Sequence, residues 1–286
     1  MTITSTKKVK RSQTLNLSWN KLKTLSLSET IAKDIKWMDL SGNELTTLPD
    51  ELAAFTELEV IDLSLNRFTI FPKVLTKLPR LKVLLMGDNA LSSLPDRIGD
   101  CTELEVLELY NNMLATLPRA MSQLKQLQIL TLNFNKFSML PQVFSKDQKL
   151  QILSLNENAL TRFPSITNLQ GLKALNLSNN YIRHIPNSIL KLTELEQMDL
   201  GVNAINTIPA ELSRMPSLER LKLSGNPLTA IPALLLEQLE LKELMLSKSQ
   251  QNLVPEVFKQ KFFARPNLYS QINPEPFYSR QVPEES

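Results

Sequence analysis

The chain has 286 residues, of which 42% are hydrophobic and 21% charged, and its formal net charge at pH 7 is +3. This balance excludes a disordered chain and a chain that wraps nucleic acid. One cysteine and one histidine exclude an intrachain disulfide framework and leave almost no ligands for a zinc site, so we expect no metal and no other cofactor.

The chain begins with a basic segment, residues 1–11, whose lysines and arginine cluster at 7–11. This segment has no apolar core of the kind that a signal peptide carries. The longest apolar run, 230–236, is far shorter than the roughly 18–20 residues that a bilayer span needs. We therefore expect no membrane span and a cytoplasmic location.

Asparagine then recurs at a fixed period. The steps are 23 residues, with one step of 22, and ten of the 17 prolines follow in the same phase. Such a period is the signature of a repeat architecture. The recurring asparagines are Asn20, Asn43, Asn66, Asn89, Asn112, Asn135, Asn158, Asn180, Asn203 and Asn226.

Each repeat has one pattern, numbered here from its asparagine, with apolar residues at −8, −5, −3, +2, +5, +9 and +12. The alternation at −5 and −3 predicts a short strand with one buried face. A buried asparagine at the following turn can bond backbone groups of its own and the adjacent repeat. The Leu-Pro step at +5 and +6 predicts an extended return, and the later apolar residues predict a helical or 3₁₀ turn.

This pattern resembles the leucine-rich repeat, L-x-x-L-x-L-x-x-N-x-L, over about residues 12–264. The return motif L-P-x-x-φ-x-x-L is similar to that of the 23-residue intracellular class, found in Ras-pathway scaffolds and bacterial effector proteins. The resemblance implies an α/β solenoid of about eleven repeats. It would form a horseshoe with a concave parallel sheet and with short helices or 3₁₀ turns on the convex side.

The pattern breaks down in a few places. Ser249 stands where the last repeat should have its asparagine, and a phenylalanine cluster at 258–263 predicts a helical cap. Asp147 and Gln238 occupy the +12 position, where leucine is normal, and indicate a local rearrangement of the convex loop. Residues 265–286 contain four prolines and predict an extended C-terminal tail.

Residues for catalysis are scarce. Cys101 occupies a +12 core position, so we expect a buried structural thiol. His184 lies on the outer side of its repeat, where we expect it to be solvated. No glycine-rich phosphate loop is present. We therefore expect a protein that is not an enzyme and has no catalytic residues.

The residues predicted to lie on the concave face are the remaining candidates for a functional site. Strand residues at −6, −4, −2 and −1 should project from it, and most −2 and −1 residues are small and polar. Larger apolar side chains with acidic neighbours interrupt this background in repeats three to six, and basic residues follow near the C-terminal end. The predicted protein-binding residues are Trp37, Leu65, Leu85, Asp88, Glu108, Tyr110, Phe134, Arg220 and Lys222.

The sequence thus predicts a protein-recognition module, monomeric by itself, that acts as a scaffold or an inhibitor of an enzyme. The acidic residues favour a protein partner with a basic patch over nucleic acid. One alternative is a bacterial effector that is secreted into a host cell's cytoplasm and binds or modifies host proteins. Another is that the large concave side chains only shield the sheet.

Overall fold

One parallel sheet organises the chain, and its eleven strands follow one another in chain order. The computed structural model describes residues 13–27 and 34–263. Neighbouring strands pair one repeat apart, and the sheet is open. The strands are β1 (Thr14–Asn16), β2 (Trp37–Asp39), β3 (Val60–Asp62), β4 (Val83–Leu85), β5 (Val106–Glu108), β6 (Ile129–Thr131), β7 (Ile152–Ser154), β8 (Ala174–Asn176), β9 (Gln197–Asp199), β10 (Arg220–Lys222) and β11 (Glu243–Met245).

The middle residue of each strand points into the core, and its two neighbours point to the concave face. In β5 and β6, Leu107 and Leu130 have no exposed surface. Because successive side chains alternate across a strand, the paired residues Glu108 and Thr131 lie together on the concave face. The predicted solenoid, with its parallel concave sheet, is confirmed.

The convex side is made of short turns that follow the repeated proline. Pro118, for example, is extended (φ −71°, ψ 153°) and precedes a 3₁₀ helix whose Met121 is fully buried. The predicted extended return and 3₁₀ turn are therefore confirmed. The 3₁₀ helices of the described residues are Asp50–Ala54, Lys73–Lys77, Asp96–Asp100, Arg119–Gln123, Asn187–Lys191, Ala210–Arg214 and Gln250–Leu253, and the α-helices are α1 (Ala233–Glu237) and α2 (Glu256–Phe263).

The repeated asparagine joins adjacent repeats. The Asn112 Oδ1 atom accepts a hydrogen bond from the Leu91 backbone N–H (2.9 Å). Its Nδ2 group donates to the carbonyl oxygens of Met86 (2.9 Å), Leu109 (3.2 Å) and Tyr110 (3.1 Å). Two of these four partners belong to the preceding repeat, so the side chain holds the turn and the stack together.

The predicted rearrangement at Asp147 is present. Asp147 itself is exposed, and the buried Gln148 fills the space at the +12 position instead. The Gln148 amide donates to the carbonyls of Met121 (2.7 Å) and Leu124 (3.2 Å), and its oxygen accepts from the Ser145 N–H (2.9 Å). An amide therefore replaces an apolar side chain without leaving backbone groups unpaired.

Ser249 stands at the last ladder position, and Gln250, one residue further along, makes one of the contacts that a ladder asparagine would make. Gln250 is buried, and its Nε2 group donates to the carbonyls of Leu223 (3.3 Å) and Asn226 (2.6 Å). The longer side chain reaches from one residue further along. Beyond it, α2 buries Phe262 against the core. The proposed boundaries at 1–11 and 265–286 lie outside the described residues.

Candidate functional site

Four repeats of the concave face, those of β1, β2, β3 and β8, satisfy their own polar groups through a recurring Asx–Ser pair. This pair is an Asp or Asn at −4 whose Oδ1 atom accepts from the backbone N–H and the hydroxyl of a serine at −2. The donor–acceptor distances are 2.9 and 2.7 Å for Asp39 and Ser41, and 3.0 and 2.8 Å for Asn176 and Ser178. Such local pairs complete the turn without a ligand.

The other seven described strands do not form this pair, and they include the three central strands, β4 to β6. The −4 residues of these three strands are Leu85, Glu108 and Thr131, and their −2 residues are glycine, tyrosine and asparagine. No serine is available there to close the turn, and the residues that replace the pair are larger or less polar. The centre of the face therefore lacks the local pair that stabilises the turns after β1, β2, β3 and β8.

A second feature of the face is the backbone conformation at position −1. In each of the ten repeats with a ladder asparagine, this residue has a left-handed φ, between 49° and 75°. Glycine occurs there only at Gly42 and Gly225, and asparagine or aspartate occurs in three more repeats. Left-handed backbone favours these residue types and is strained for bulky or β-branched side chains.

Four large apolar residues nevertheless occupy this strained position, and all of them are exposed. Their exposed fractions are 71% for Trp19, 44% for Leu65, 50% for Phe134 and 53% for Val202. Trp19 and Val202 were not among the predicted site residues. The signal that would have found them is the mixture of glycine, asparagine and aspartate in the same sequence column.

Leu65, Leu85 and Tyr110 all lie next to Gly87. The Leu65 N–H donates to the Gly87 carbonyl (3.0 Å), and Leu85 lies two residues before that glycine. The Tyr110 ring covers Gly87 so closely that an added Cβ would lie 2.3 Å from it. Any side chain larger than hydrogen would therefore displace the tyrosine.

Phe134 is a separate anchor. Tyr110 leans towards β4, away from Phe134, and three strand steps of about 4.8 Å separate Phe134 from Leu65 in the −1 column. The Tyr110 ring thus covers Gly87 after β4, and Phe134 stands by itself in the −1 column after β6. We use the name central patch for Leu65, Leu85, Glu108, Tyr110, Thr131 and Phe134.

Glu108 was predicted as an exposed rim carboxylate, and this is wrong, because only 7% of the residue is exposed. Burial, with a smaller effect of the Asp62 charge, raises the pKa of Glu108 to about 7. Burial also raises the pKa of Asp62. The centre of the face thus contains a carboxyl group that titrates near neutral pH.

Asp88 is half-buried and already has partners. The Asn111 Nδ2 group donates to its Oδ1 atom (2.5 Å). Burial and the nearby Asp88 charge raise the pKa of Tyr110, so the phenol stays protonated. Asp88 therefore positions Asn111 and Tyr110 at the edge of the central patch.

The predicted basic end is paired within the sheet. Arg220 Nε lies 3.5 Å from Glu243 Oε2, and Lys222 Nζ lies 3.5 Å from Asp199 Oδ2. The prediction that these cations form a free basic surface is therefore wrong. Trp37 is half-buried on β2 and lies outside the central patch.

Groups that could carry catalysis are few in the described part of the chain. Cys101 is buried, as predicted, and burial raises its pKa to about 12, so its thiol is a poor nucleophile. His184 is exposed, as predicted. Within residues 13–27 and 34–263, no group of His, Cys, Asp and Glu could hold a metal ion. No helix there is long and apolar enough to cross a bilayer.

The stacked strands, the asparagine ladder and the concave face define a repeat solenoid with an open sheet. The family description "Leucine rich repeat" matches residues 33–91, 79–137, 127–182, 148–201 and 170–228. The chain belongs to the leucine-rich repeat family. Proteins of this family generally act in protein recognition, and the fold is typical of non-enzymatic interaction proteins. A search of curated proteins found no match.

Solved structures of the same fold include a leucine-rich repeat protein of Leptospira interrogans. It is 28% identical, with a TM-score of 0.61, and the match covers 82% of this chain and 77% of that one. TLR13 in complex with ssRNA13 is 27% identical, with a TM-score of 0.69, and the match covers 78% of this chain and 34% of TLR13. The ectodomain of GASSHO1/SCHENGEN3 from Arabidopsis thaliana, in complex with CASPARIAN STRIP INTEGRITY FACTOR 2, is 26% identical, with a TM-score of 0.57, a coverage of 82% here and 34% there. The chain therefore spans about a third of each of these two receptors.

Proposed function

We propose that the chain is a non-catalytic recognition solenoid that binds a segment of another protein on the central patch. The observation that carries this proposal is the occurrence of exposed Leu65 and Phe134 at backbone positions that favour glycine or asparagine. Neither strain nor exposure of a large apolar side chain stabilises the free protein. Contact with a partner would account for both features, since a few large side chains supply most of the binding free energy at an interface.

The observations support a protein partner over a nucleic acid. TLR13 is bound to RNA and the Arabidopsis receptor to a peptide factor, so the fold is compatible with both classes. In this chain, the carboxyl groups of Asp62 and Glu108 lie at the centre of the face with no ion pair to a described lysine or arginine. Negative charge there opposes phosphate and favours a basic patch on a protein.

The biological role that we propose requires binding and no catalysis. We propose that the protein acts in the cytoplasm, as a scaffold or as an inhibitor that covers another enzyme. The alternative, a bacterial effector delivered into a host cell's cytoplasm, would use the same surface to bind host proteins. Detection of the native protein in fractionated cells, or inside infected host cells, distinguishes the two settings.

A display library of random short peptides tests the proposed site. We expect the wild-type protein to enrich peptides that a Leu65→Asn/Phe134→Asn double variant does not bind. Asparagine suits the left-handed backbone, so these changes remove the apolar side chains without adding strain. Tyr181→Asn is the matched control, because Tyr181 is 63% exposed and lies outside the central patch. Equal enrichment by the wild type and the double variant would contradict the proposal.

A further inference from the structure

Acidic groups on the concave face are neutralised at one end and not at the centre. Near the C-terminal end, Asp199 and Glu243 each have a cation from the next or preceding strand within 3.5 Å. For Glu108, burial and the Asp62 charge both oppose ionisation, and no described lysine or arginine forms an ion pair with either carboxyl group. Among the described residues, the central carboxyl groups therefore have no cation, although Ser64 donates two hydrogen bonds to Asp62 (2.8 and 2.6 Å).

A buried hydroxyl lies beside this charge. Thr131 is 6% exposed, and its Oγ1 atom has no hydrogen-bond partner among the described residues. Thr131 is the register partner of Glu108 on β6, as Leu85 is on β4. A buried polar atom without a partner lowers stability by about 1–3 kcal/mol. The sheet thus holds a carboxyl group and an unsatisfied hydroxyl side by side, at the centre of its concave face.

We infer that Glu108 and Thr131 form the floor of a recess that receives one cationic side chain, a lysine or arginine, from the bound protein segment. Leu85 flanks the floor on β4, and Tyr110 lies two residues beyond Glu108 on the same face. An ammonium or guanidinium group would donate to both the carboxylate and the threonine oxygen, which satisfies both groups at once. The inference rests on the proposed function and specifies the partner's chemistry.

Proton linkage gives this recess a measurable signature. A cation binds the ionised form of Glu108, and with a pKa of about 7 that form makes up roughly a tenth of the molecules at pH 6 and nine tenths at pH 8. Apparent affinity follows the competent fraction, so binding should strengthen by about tenfold over this range. The other ionisable groups nearby are Asp62, whose pKa is raised by burial, and Tyr110, which stays protonated.

Peptides enriched by the wild-type protein at pH 8 supply the probe. We expect a fixed lysine or arginine in them, and we expect affinity for one such arginine peptide to rise about tenfold from pH 6 to pH 8. Replacing that arginine by citrulline, or using a Glu108→Gln variant, should abolish the rise. Thr131→Val should weaken binding at both pH values. Glu157→Gln removes a carboxylate from the same face and is the matched control that should keep the rise.

The outcomes separate this inference from the proposed function. Peptides that need Phe134 but carry no fixed cation would overturn the recess and leave the recognition site intact. A fixed cation whose binding is unaffected by Glu108→Gln would also overturn it. Enrichment that is independent of both Phe134 and Leu65 would refute the proposed function itself.

Discussion

Replacing Asn112 by leucine tests the asparagine ladder. Three of the four groups that Asn112 bonds keep a second partner: the carbonyls of Met86, Leu109 and Tyr110 also accept from Asn89, Asn135 and the Asp88 N–H, respectively. Among the described residues, the Leu91 N–H bonds only Asn112, and the substitution would leave it buried without a partner. That loss amounts to about 1–3 kcal/mol, and three weakened carbonyl interactions add roughly 0.5 kcal/mol each. We expect a total destabilisation of about 2.5–4.5 kcal/mol.

Urea unfolding followed by circular dichroism measures this change, with Asn20→Leu as the matched control. Asn20 occupies the same ladder position in the first repeat, is exposed, and its Nδ2 group donates to the Ser18 carbonyl. We expect the control to lose less than about 1 kcal/mol. An unchanged midpoint for Asn112→Leu, or equal losses for the two variants, would refute the explanation.

Three further predictions concern stability and reactivity. Glu108 has a pKa of about 7 in the folded protein against an ordinary value of 4.5, so its ionisation destabilises the fold. Relative to Glu108→Gln, the free energy of unfolding of the wild type should fall by on the order of 3 kcal/mol as pH rises from about 4.5 to 7. Parallel pH dependences of the two proteins in urea unfolding would contradict this. Cys101 should resist iodoacetamide at pH 8 in the folded protein and react once urea unfolds it, and rapid native labelling would contradict its burial. Gln250→Leu should destabilise by about 1–3 kcal/mol, because it removes the donor to two buried carbonyls, whereas the exposed control Ser249→Ala should leave the thermal midpoint unchanged.

The fold could be predicted from the sequence because the same residue pattern occurs in ten repeats. Leu107 and Leu109 alone would indicate only a short strand, but their recurrence with the ladder asparagine fixes strand direction, register and the buried face. The contact made by Gln250 could not be predicted from the period, because it depends on the reach of a longer side chain. Gln250 bonds the Leu223 carbonyl, which the periodic pattern assigns to position 249, and the Asn226 carbonyl, which it does not.

The site was predicted less well than the fold, since it depends on backbone angles and pairing that one repeat's pattern does not contain. Their position at −1 predicted that Leu65 and Phe134 are exposed, but the strain at these residues can be recognised only from their backbone angle φ. Burial of Glu108 and pairing of Lys222 with Asp199 both depend on neighbouring strands. Charge counted along the sequence therefore overestimated the free charge at both places.

The affinity of a peptide enriched by the wild type, measured by calorimetry against Phe134→Asn with a parallel thermal melt, tests the central claim most directly. Relief of left-handed strain offsets the lost contacts of a half-exposed ring, so we expect folding stability to stay within about 1 kcal/mol of the wild type. We expect affinity to fall by at least tenfold, in line with the loss of a binding hot spot. Unchanged affinity, or a loss of affinity matched by a collapse of the melting temperature, would contradict a recognition role for the central patch.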